Sequence, residues 1–234
     1  MNRAEFTNVI SPTRLTDSDH PLIIETARRV TENSMNDQDA AIKIFYYVRD
    51  TILFGGSNLF AKASSTLKSG IGDCGIKSNV QVSLLHASGI PARLRATYIK
   101  SEPLKRILPV SIANKMQEEE ILHLGCECYL SGKWIACQTS YDKQMFEVDN
   151  KIESDPENRI TSIDWDGEKD LILFHKWQTR DVTAFNSYDD FFEYAKHAEE
   201  KNLVPPRLFW LLFGGVANRS LNRHLDKLRK QINE

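Results

Sequence analysis

A cysteine directly after a glycine-rich turn is the residue of this 234-residue chain best suited to be a nucleophile. Cys74 ends the run LKSGIGDC, and apolar residues follow it at helical spacing, so we expect a helix to begin here with Asp73 as its N-cap. Free backbone N–H groups and the positive end of a helix dipole favour a thiolate over a thiol. The sequence therefore predicts a lowered pKa for Cys74 and covalent catalysis, against the alternative of a small buried cysteine.

A predicted hairpin supplies the base that such a cysteine needs. The run HLGCECYLSGKWIACQTS is typical of two strands joined by a two-residue turn at Ser131 and Gly132. In the register that this turn sets, His123 shares one face of the hairpin with Gln138 and Asp142. A side-chain oxygen beside the ring could accept its Nδ1–H and orient it, as a nucleophile–base–orienter arrangement requires. The choice between Gln138 and Asp142 as orienter stays open.

The elements that must position these groups predict a mixed fold. Apolar residues at helical spacing follow Asn36, and the helix from Cys74 ends at Gly89. Alternation in ARLRATYIK then predicts a strand, residues 143–168 are polar and loop-like, and LILFHKW is typical of a short buried strand. YDDFFEYAKHAEEK and the chain end have helical patterns. We therefore expect an α+β protein whose Cys74 helix packs on an antiparallel sheet, with a helical C-terminal segment.

The order of these motifs resembles the transglutaminase-like superfamily of papain-type cysteine enzymes. The resemblance rests on AIKIFYYVRDTI, LKSGIGDC, SGIPAR and HLGCECYLSGKW, and it covers about residues 27–141. It implies a papain-like core in which Cys74 is the nucleophile and His123 the general base and acid. Two positions differ from the usual pattern: Gly125 stands where such proteins commonly have an aromatic residue, and Gln138 where they commonly have Asp.

The resemblance leaves two classes of function. In the first, the Cys74 thiolate attacks an amide or thioester carbonyl of a peptide, protein or small substrate and forms an acyl-thioester. Water as acceptor gives a peptidase or amidase, and an amine gives an acyl transferase or cross-linking enzyme. In the second, loss of the usual Asp leaves a catalytically inactive interaction scaffold. We expect the enzyme, because both Cys74 and His123 are present.

Two segments divide the chain: a transglutaminase-like domain over residues 1–178, and a helical C-terminal extension over 179–234 packed on it. The extension contains the apolar run LFWLLF and a basic amphipathic end. We expect LFWLLF to pack on the core, since burial is the default for short apolar runs. The extension could instead support an oligomer, dock a partner or lie on a membrane surface.

Composition disfavours several other classes. Thirty Lys and Arg against 32 Asp and Glu give a charge of −2, so no basic field favours nucleic acid. The chain start lacks a signal-peptide pattern and no apolar run is long enough for a transmembrane segment, so we expect a cytoplasmic protein. No phosphate or dinucleotide motif implies a cofactor.

Alternation along the predicted strands places Cys126, Cys128 and Cys137 on the face opposite His123. This placement disfavours a zinc site built from these cysteines with His123 or Cys74, and it predicts that the three cysteines are core residues.

Overall fold

A computed structural model describes residue 6 and residues 8–114, 119–200 and 207–232; the side chains of 197–200, 207–214 and 216 lie outside the description. The packing expected for LFWLLF, residues 208–213, therefore also lies outside it. The helices are α1 (Pro21–Val30), α2 (Asp37–Thr51), α3 (Ala63–Ser69), α4 (Cys74–Ala87), α5 (Glu102–Lys105), α6 (Val110–Ala113), α7 (Lys143–Ile152), α8 (Tyr188–Glu200) and α9 (Arg207–Lys230). The strands are β1 (Leu53–Phe54), β2 (Ile71–Gly72), β3 (Ala92–Lys100), β4 (Glu120–Leu130), β5 (Lys133–Ala136) and β6 (Gln178–Phe185).

Four of the strands form an antiparallel sheet in the order β5-β4-β3-β6, and β1 pairs with β2 in a parallel ladder of two residues each. The predicted hairpin and its register are confirmed, since Leu130 pairs with Lys133 and Glu127 with Ala136. Ser131 has φ 50° and Gly132 has φ 86°. Positive φ at both turn residues matches the twist of the two strands, which is why this turn holds that register.

Helix α4 lies at the centre of the fold, as its sequence requires. Asp73 caps it, and the chain leaves it through Gly89 at φ 75°, so its predicted start and stop are confirmed. Every residue from Gly75 to His86 is buried. The helix packs on β4 and β3 on one side and on α1, α2 and α3 on the other. The predicted α+β fold, with the Cys74 helix on an antiparallel sheet, is confirmed.

The sheet separates two hydrophobic cores. The first lies between the sheet and α1, α2 and α4, and it contains Cys126, Cys128 and Cys137, all fully buried as predicted. The second lies on the opposite face, between the sheet and the later helices, and includes Ile99, Met145 and Leu225. The sheet is therefore covered on both faces around Ile99 and Ile121, whereas most side chains of β6 stay exposed or half-buried.

Two secondary-structure predictions are wrong. The segment 143–168, expected to be a loop, begins with α7, whose N-cap is Asp142. The strand expected in LILFHKW is an isolated bridge at Leu171 followed by a 3₁₀ helix, His175–Trp177, and the strand β6 comes immediately after it. Because β6 pairs with β3, residues 179–185 complete the sheet and are not helical. The expected division at residue 178 falls at the first residues of this strand.

Candidate active site

The turn before α4 fixes Cys74 at the first position of the helix. The Asp73 carboxylate accepts hydrogen bonds from Gly75 N at 2.9 Å and Ile76 N at 3.1 Å. Its other oxygen accepts the Ser57 hydroxyl at 3.3 Å. Asp73 therefore occupies N–H groups of the first helical turn and ties the turn to the loop at Ser57, while the half-buried Cys74 side chain projects from the helix start.

The sulfur of Cys74 lies where β5 separates from β4. Cys137 N still donates to Cys126 O at 2.8 Å, but the next residue, Gln138, bonds to Leu171 O and leaves β4. Leu124 lies two residues before Cys126, so its N–H and C=O point to the same side of β4, toward α4. The Leu124 N–H lies near enough to the Cys74 sulfur to lower the pKa of the thiol, and the Ser78 hydroxyl donates to Leu124 O at 3.4 Å.

This contact brings the nucleophile candidate against the histidine strand. The nitrogen of Leu124 is bonded to the carbonyl carbon of His123, so the Cys74 sulfur lies beside the His123 main chain. Two residues that are 49 positions apart in the sequence are thus brought together by the packing of α4 on β4.

The pKa of Cys74 is raised to about 12, so the predicted lowering is wrong. Burial is the largest cause, and the negative charge of Asp73 adds to it. Hydrogen bonds from Leu124 and Gly75 act in the opposite direction but do not offset burial. The sequence pattern shows the helix start and its Asp73 cap, but it does not show how strongly burial acts on the thiol. Cys74 is therefore a thiol at neutral pH.

His123 is held by Gln138, through a different ring atom from the one predicted. The His123 Nε2 lies 3.3 Å from Gln138 Oε1, whereas the sequence argument expected Nδ1. The Leu173 backbone N–H also donates to that oxygen, at 3.1 Å. A backbone N–H can only donate, so this bond fixes which end of the amide is the oxygen. His123 must then carry its proton on Nε2, which leaves Nδ1 with a free lone pair.

The surroundings keep the imidazole neutral. His123 is buried, and this burial lowers its pKa to about 4, although the bond to Gln138 opposes the shift. The rings of Phe174 and His123 lie at right angles, with 5.2 Å between their centroids. Both Cys74 and His123 are therefore uncharged in the resting site.

The two positions that differ from the usual family pattern fit each other. A Cβ added to Gly125 would lie 2.5 Å from Gln138 Nε2 and 2.6 Å from Gln138 Cδ. Such separations are far inside van der Waals contact, so the Gln138 side chain fills the space that a larger residue at 125 would need. The glycine is therefore a condition for a glutamine behind His123.

Asp142 does not bond to His123, which corrects the second choice for the orienter. One oxygen of its buried carboxylate caps α7 through Met145 N at 2.9 Å. The other accepts Phe54 N at 2.7 Å and the Arg229 guanidinium at 2.8 Å. Asp142 is thus a buried ion-pair partner of the C-terminal helix. Arg229 itself was not singled out in the sequence, where it is one of several basic residues in that helix.

A buried lysine near Cys74 was also not predicted as a residue of the site. Lys77 is one turn after Cys74, is fully buried, and donates to the carbonyl oxygens of Ile52 and Arg49 at the end of α2. Burial lowers its pKa to about 7. Its signal in the sequence was a single Lys in a helix that has no Arg, Asp or Glu. Its ammonium group therefore joins the C-terminal end of α2 to α4.

Fold and site together define a class: a papain-type core with a cysteine at a helix start, packed against a strand that carries a histidine. Residues 24–139, about half of the chain, match the family model of the transglutaminase-like superfamily. The chain belongs to that superfamily. Among curated proteins, none matches this sequence.

Solved structures agree with the fold. One is named a putative cysteine protease from Cytophaga hutchinsonii; it is 14% identical, covers 80% of this chain and 48% of its own, and has a TM-score of 0.53. The chain therefore spans about half the length of that protein. A second, a putative protease from Parabacteroides distasonis, is 13% identical over 57% of this chain and 25% of its own, and its TM-score of 0.37 is too low to argue from.

Two absences concern the residues that the structure describes. Among them, no group of three or more His, Cys, Asp or Glu side chains is arranged to hold a metal ion. In the same part of the chain, no helix has the length and apolar character needed to cross a bilayer.

Proposed function

We propose that this protein is a thiol acyl enzyme in which Cys74 attacks an amide or thioester carbonyl of a peptide, protein or small substrate. The observation that carries the proposal is the fixed Gln138 amide. Because Leu173 sets its orientation, Gln138 leaves His123 with an unprotonated Nδ1, and the Leu124 N–H places the Cys74 sulfur near the main chain of His123. Nucleophile, base and orienter are the groups that covalent acyl transfer requires.

The proposed reaction starts from the uncharged pair. As the sulfur bonds to the carbonyl carbon, His123 Nδ1 takes the thiol proton and the carbonyl electron pair moves to oxygen. The oxygen pair then reforms the carbonyl, the bond to the leaving group breaks, and the imidazolium gives its proton to the departing nitrogen or sulfur. Gln138 adds no negative charge, so the imidazolium is stabilised by a dipole and its lifetime is short.

The acyl-thioester can be resolved by water or by an amine. His123 Nδ1 takes a proton from the attacking molecule as that molecule bonds to the acyl carbon. The carbon–sulfur bond then breaks, and the imidazolium gives its proton to the sulfur, which regenerates the Cys74 thiol. Water makes the protein a peptidase or amidase, in line with the name of the Cytophaga hutchinsonii structure, and an amine makes it an acyl transferase. We place the protein in the cytoplasm, a reducing compartment that suits its four free cysteines.

An activated aryl thioester tests the proposal, since it reports attack by the thiol without knowledge of the natural substrate. We expect intact-mass analysis to find one acyl group and peptide mapping to place it on Cys74. In His123→Ala the acylation should be slower by about a hundredfold or more, the size of a lost general base. Acylation at the same rate in His123→Ala, or mainly at another cysteine, would overturn the proposal. Adding an amine and measuring amide against free acid identifies the acceptor.

A catalytically inactive scaffold is the second candidate. It is favoured by the raised pKa of Cys74 and by the engagement of Asp142 with Arg229 and not with His123. This version predicts that neither thioesters nor peptide amides acylate Cys74 in the folded protein. The same mass measurement therefore separates the two functions.

A further inference from the structure

The turn that carries Cys74 is held by a short main-chain segment, residues 54–57. The β1–β2 ladder pairs Phe54 with Gly72, and Gly55 N donates to Gly72 O at 3.1 Å. Ser57 then bonds to Asp73, the N-cap of the nucleophile helix. A ladder of two residues on each side is too short to be stable by itself, so this segment needs support from elsewhere.

The support comes from the last helix, α9. Asn222 makes a reciprocal pair with Gly56: Gly56 N donates to its Oδ1 at 2.8 Å, and its Nδ2 donates to Gly56 O at 3.0 Å. One turn earlier, Asn218 Nδ2 donates to Ser57 O at 2.8 Å. Farther along the same face, Arg229 donates to Phe54 O at 2.7 Å. All of these bonds end on main-chain atoms of residues 54–57, so they fix the path of that segment.

The close approach of α9 depends on two glycines. A Cβ on Gly55 would lie 2.6 Å from Asn222 Oδ1, and one on Gly56 would lie 2.6 Å from Asn218 Oδ1 and 3.1 Å from its Cα. Neither glycine has a positive φ, so their role here is to admit the helix and not to form a special turn. Gly55 and Gly56 therefore allow the close approach that Asn218 and Asn222 need for their hydrogen bonds.

We propose that α9 is a positioning element of the active site: Asn218 and Asn222 hold residues 54–57, and through them the turn that carries Cys74. The catalytic part of this inference rests on the proposed function, whereas the mechanical link from α9 to the turn does not. Neither asparagine touches the reacting atoms. Each acts through the segment, the Ser57–Asp73 bond and the β1–β2 ladder.

Hydrogen exchange in the full-length protein tests the link. In Asn218→Ala/Asn222→Ala, amides in residues 53–56 and 71–76 should exchange at least about tenfold faster, since three hydrogen bonds are lost, while β3 keeps its protection. Leu228→Ala is the matched control, because this half-buried residue lies on α9 but makes none of these bonds. Equal protection of 71–76 in both variants, compared at the same loss of Tm, would overturn the proposal.

Cys74 chemistry provides a readout that a merely structural role would not move. Burial keeps the pKa of Cys74 high, so a loosened turn should admit water and lower it toward its ordinary value. Alkylation of Cys74 by iodoacetamide at pH 8 should then be about tenfold faster in the double alanine variant, and thioester acylation should lose kcat. Unchanged alkylation with unchanged kcat would count against the inference.

A graded variant keeps the test decisive if the double variant fails to fold. Asn218→Ala alone removes the bond to Ser57 O and keeps the reciprocal pair of Asn222 with Gly56, so intermediate effects are expected. No change in exchange at 71–76 in this variant would overturn the proposal. If Cys74 is never acylated in any variant while the exchange effect is present, the proposed function fails and the positioning link stands.

Discussion

At the scale of single residues, Cys74 and His123 are both uncharged, and burial is the main cause in each case. Burial raises the pKa of Cys74 and lowers that of His123, so each shift moves the group away from its charged form. The helix start favours a thiolate, but enclosure and Asp73 outweigh it. Catalysis in such a site needs proton transfer during attack, and it does not begin from a preformed ion pair.

The pH dependence of alkylation follows from this state. Below its pKa the thiolate fraction of Cys74 rises tenfold per pH unit, so the iodoacetamide rate should rise by about that factor per unit between roughly pH 6 and 9. Peptide mapping against Cys74→Ala identifies the site, and the buried Cys126, Cys128 and Cys137 should stay unlabelled. A rate that is flat down to about pH 6 would indicate a thiolate–imidazolium pair and contradict the account.

Gly125 and Gln138 should behave as a coupled pair. Gly125→Ala places a methyl group against the Gln138 amide, which must shift by about 1 Å, and a misplacement of this size costs on the order of a hundredfold in acylation. Gln138→Asn retracts the amide and should recover part of the rate in the Gly125→Ala background, while it lowers the rate when Gly125 is present. Independent, multiplicative effects in this double-mutant cycle would show that the two positions are uncoupled.

At the scale of elements, Asp142 and Arg229 join α7 to α9 as a buried ion pair. Arg229→Met leaves the Asp142 carboxylate without its cation and should lower the free energy of unfolding by about 3–5 kcal/mol, measured in urea. Arg223→Met is the control, since Arg223 is exposed on the same helix and should cost less than about 0.5 kcal/mol. Similar losses in the two variants would contradict this description of the pair.

Many of the helices and strands could be predicted from the sequence, because their signals come from neighbouring residues. The Ser131–Gly132 turn fixes the hairpin register, and capping by Asp73 fixes the start of α4. Helix α7 was missed because its cap, Asp142, was considered only as a hairpin residue. β6 was missed because the apolar run before it, LILF, looks more strand-like than an edge strand whose outer side chains are exposed.

Which residues form the candidate site could be predicted from the sequence, but their protonation could not. Cys74, His123 and Gln138 follow from motif and register, whereas the protonation of His123 depends on Leu173, which is 50 residues from it in the sequence. The pKa of Cys74 depends on enclosure by distant segments. The asparagine side chains of α9 hydrogen-bond to main-chain atoms of residues 54–57, and such bonds leave no periodic pattern in the sequence.

At the scale of the whole molecule, two buried histidines link stability to pH. Burial lowers the pKa of His86 and of His123 to about 4, from an ordinary value of 6.5. Between these values the unfolded chain binds more protons than the folded one, so the stability from neutral imidazole is full above about pH 6.5 and is lost toward pH 4. Asp149 acts in the opposite direction, since burial raises its pKa to about 6.

A histidine variant isolates this linkage from the acids. In His86→Gln the contribution of one imidazole is removed, while His123 and Asp149 are unchanged. The free energy of unfolding should therefore fall less from pH 6.5 to about 4.5 than it does in the unmodified protein, by about 1 kcal/mol or more. Urea denaturation at the two pH values gives both differences. Identical acid losses in the two proteins would contradict a neutral, buried His86.

The central claim is that His123 is neutral, carries its proton on Nε2 and offers Nδ1 as the base. Nitrogen NMR of the ¹⁵N-histidine-labelled protein tests it most directly, with the His123 signals assigned by their loss in His123→Gln. We predict a protonated Nε2 and an unprotonated Nδ1 from neutral pH down to acid, with titration near a pKa of about 4. A proton on Nδ1, or a fully protonated ring at pH 7, would contradict the account.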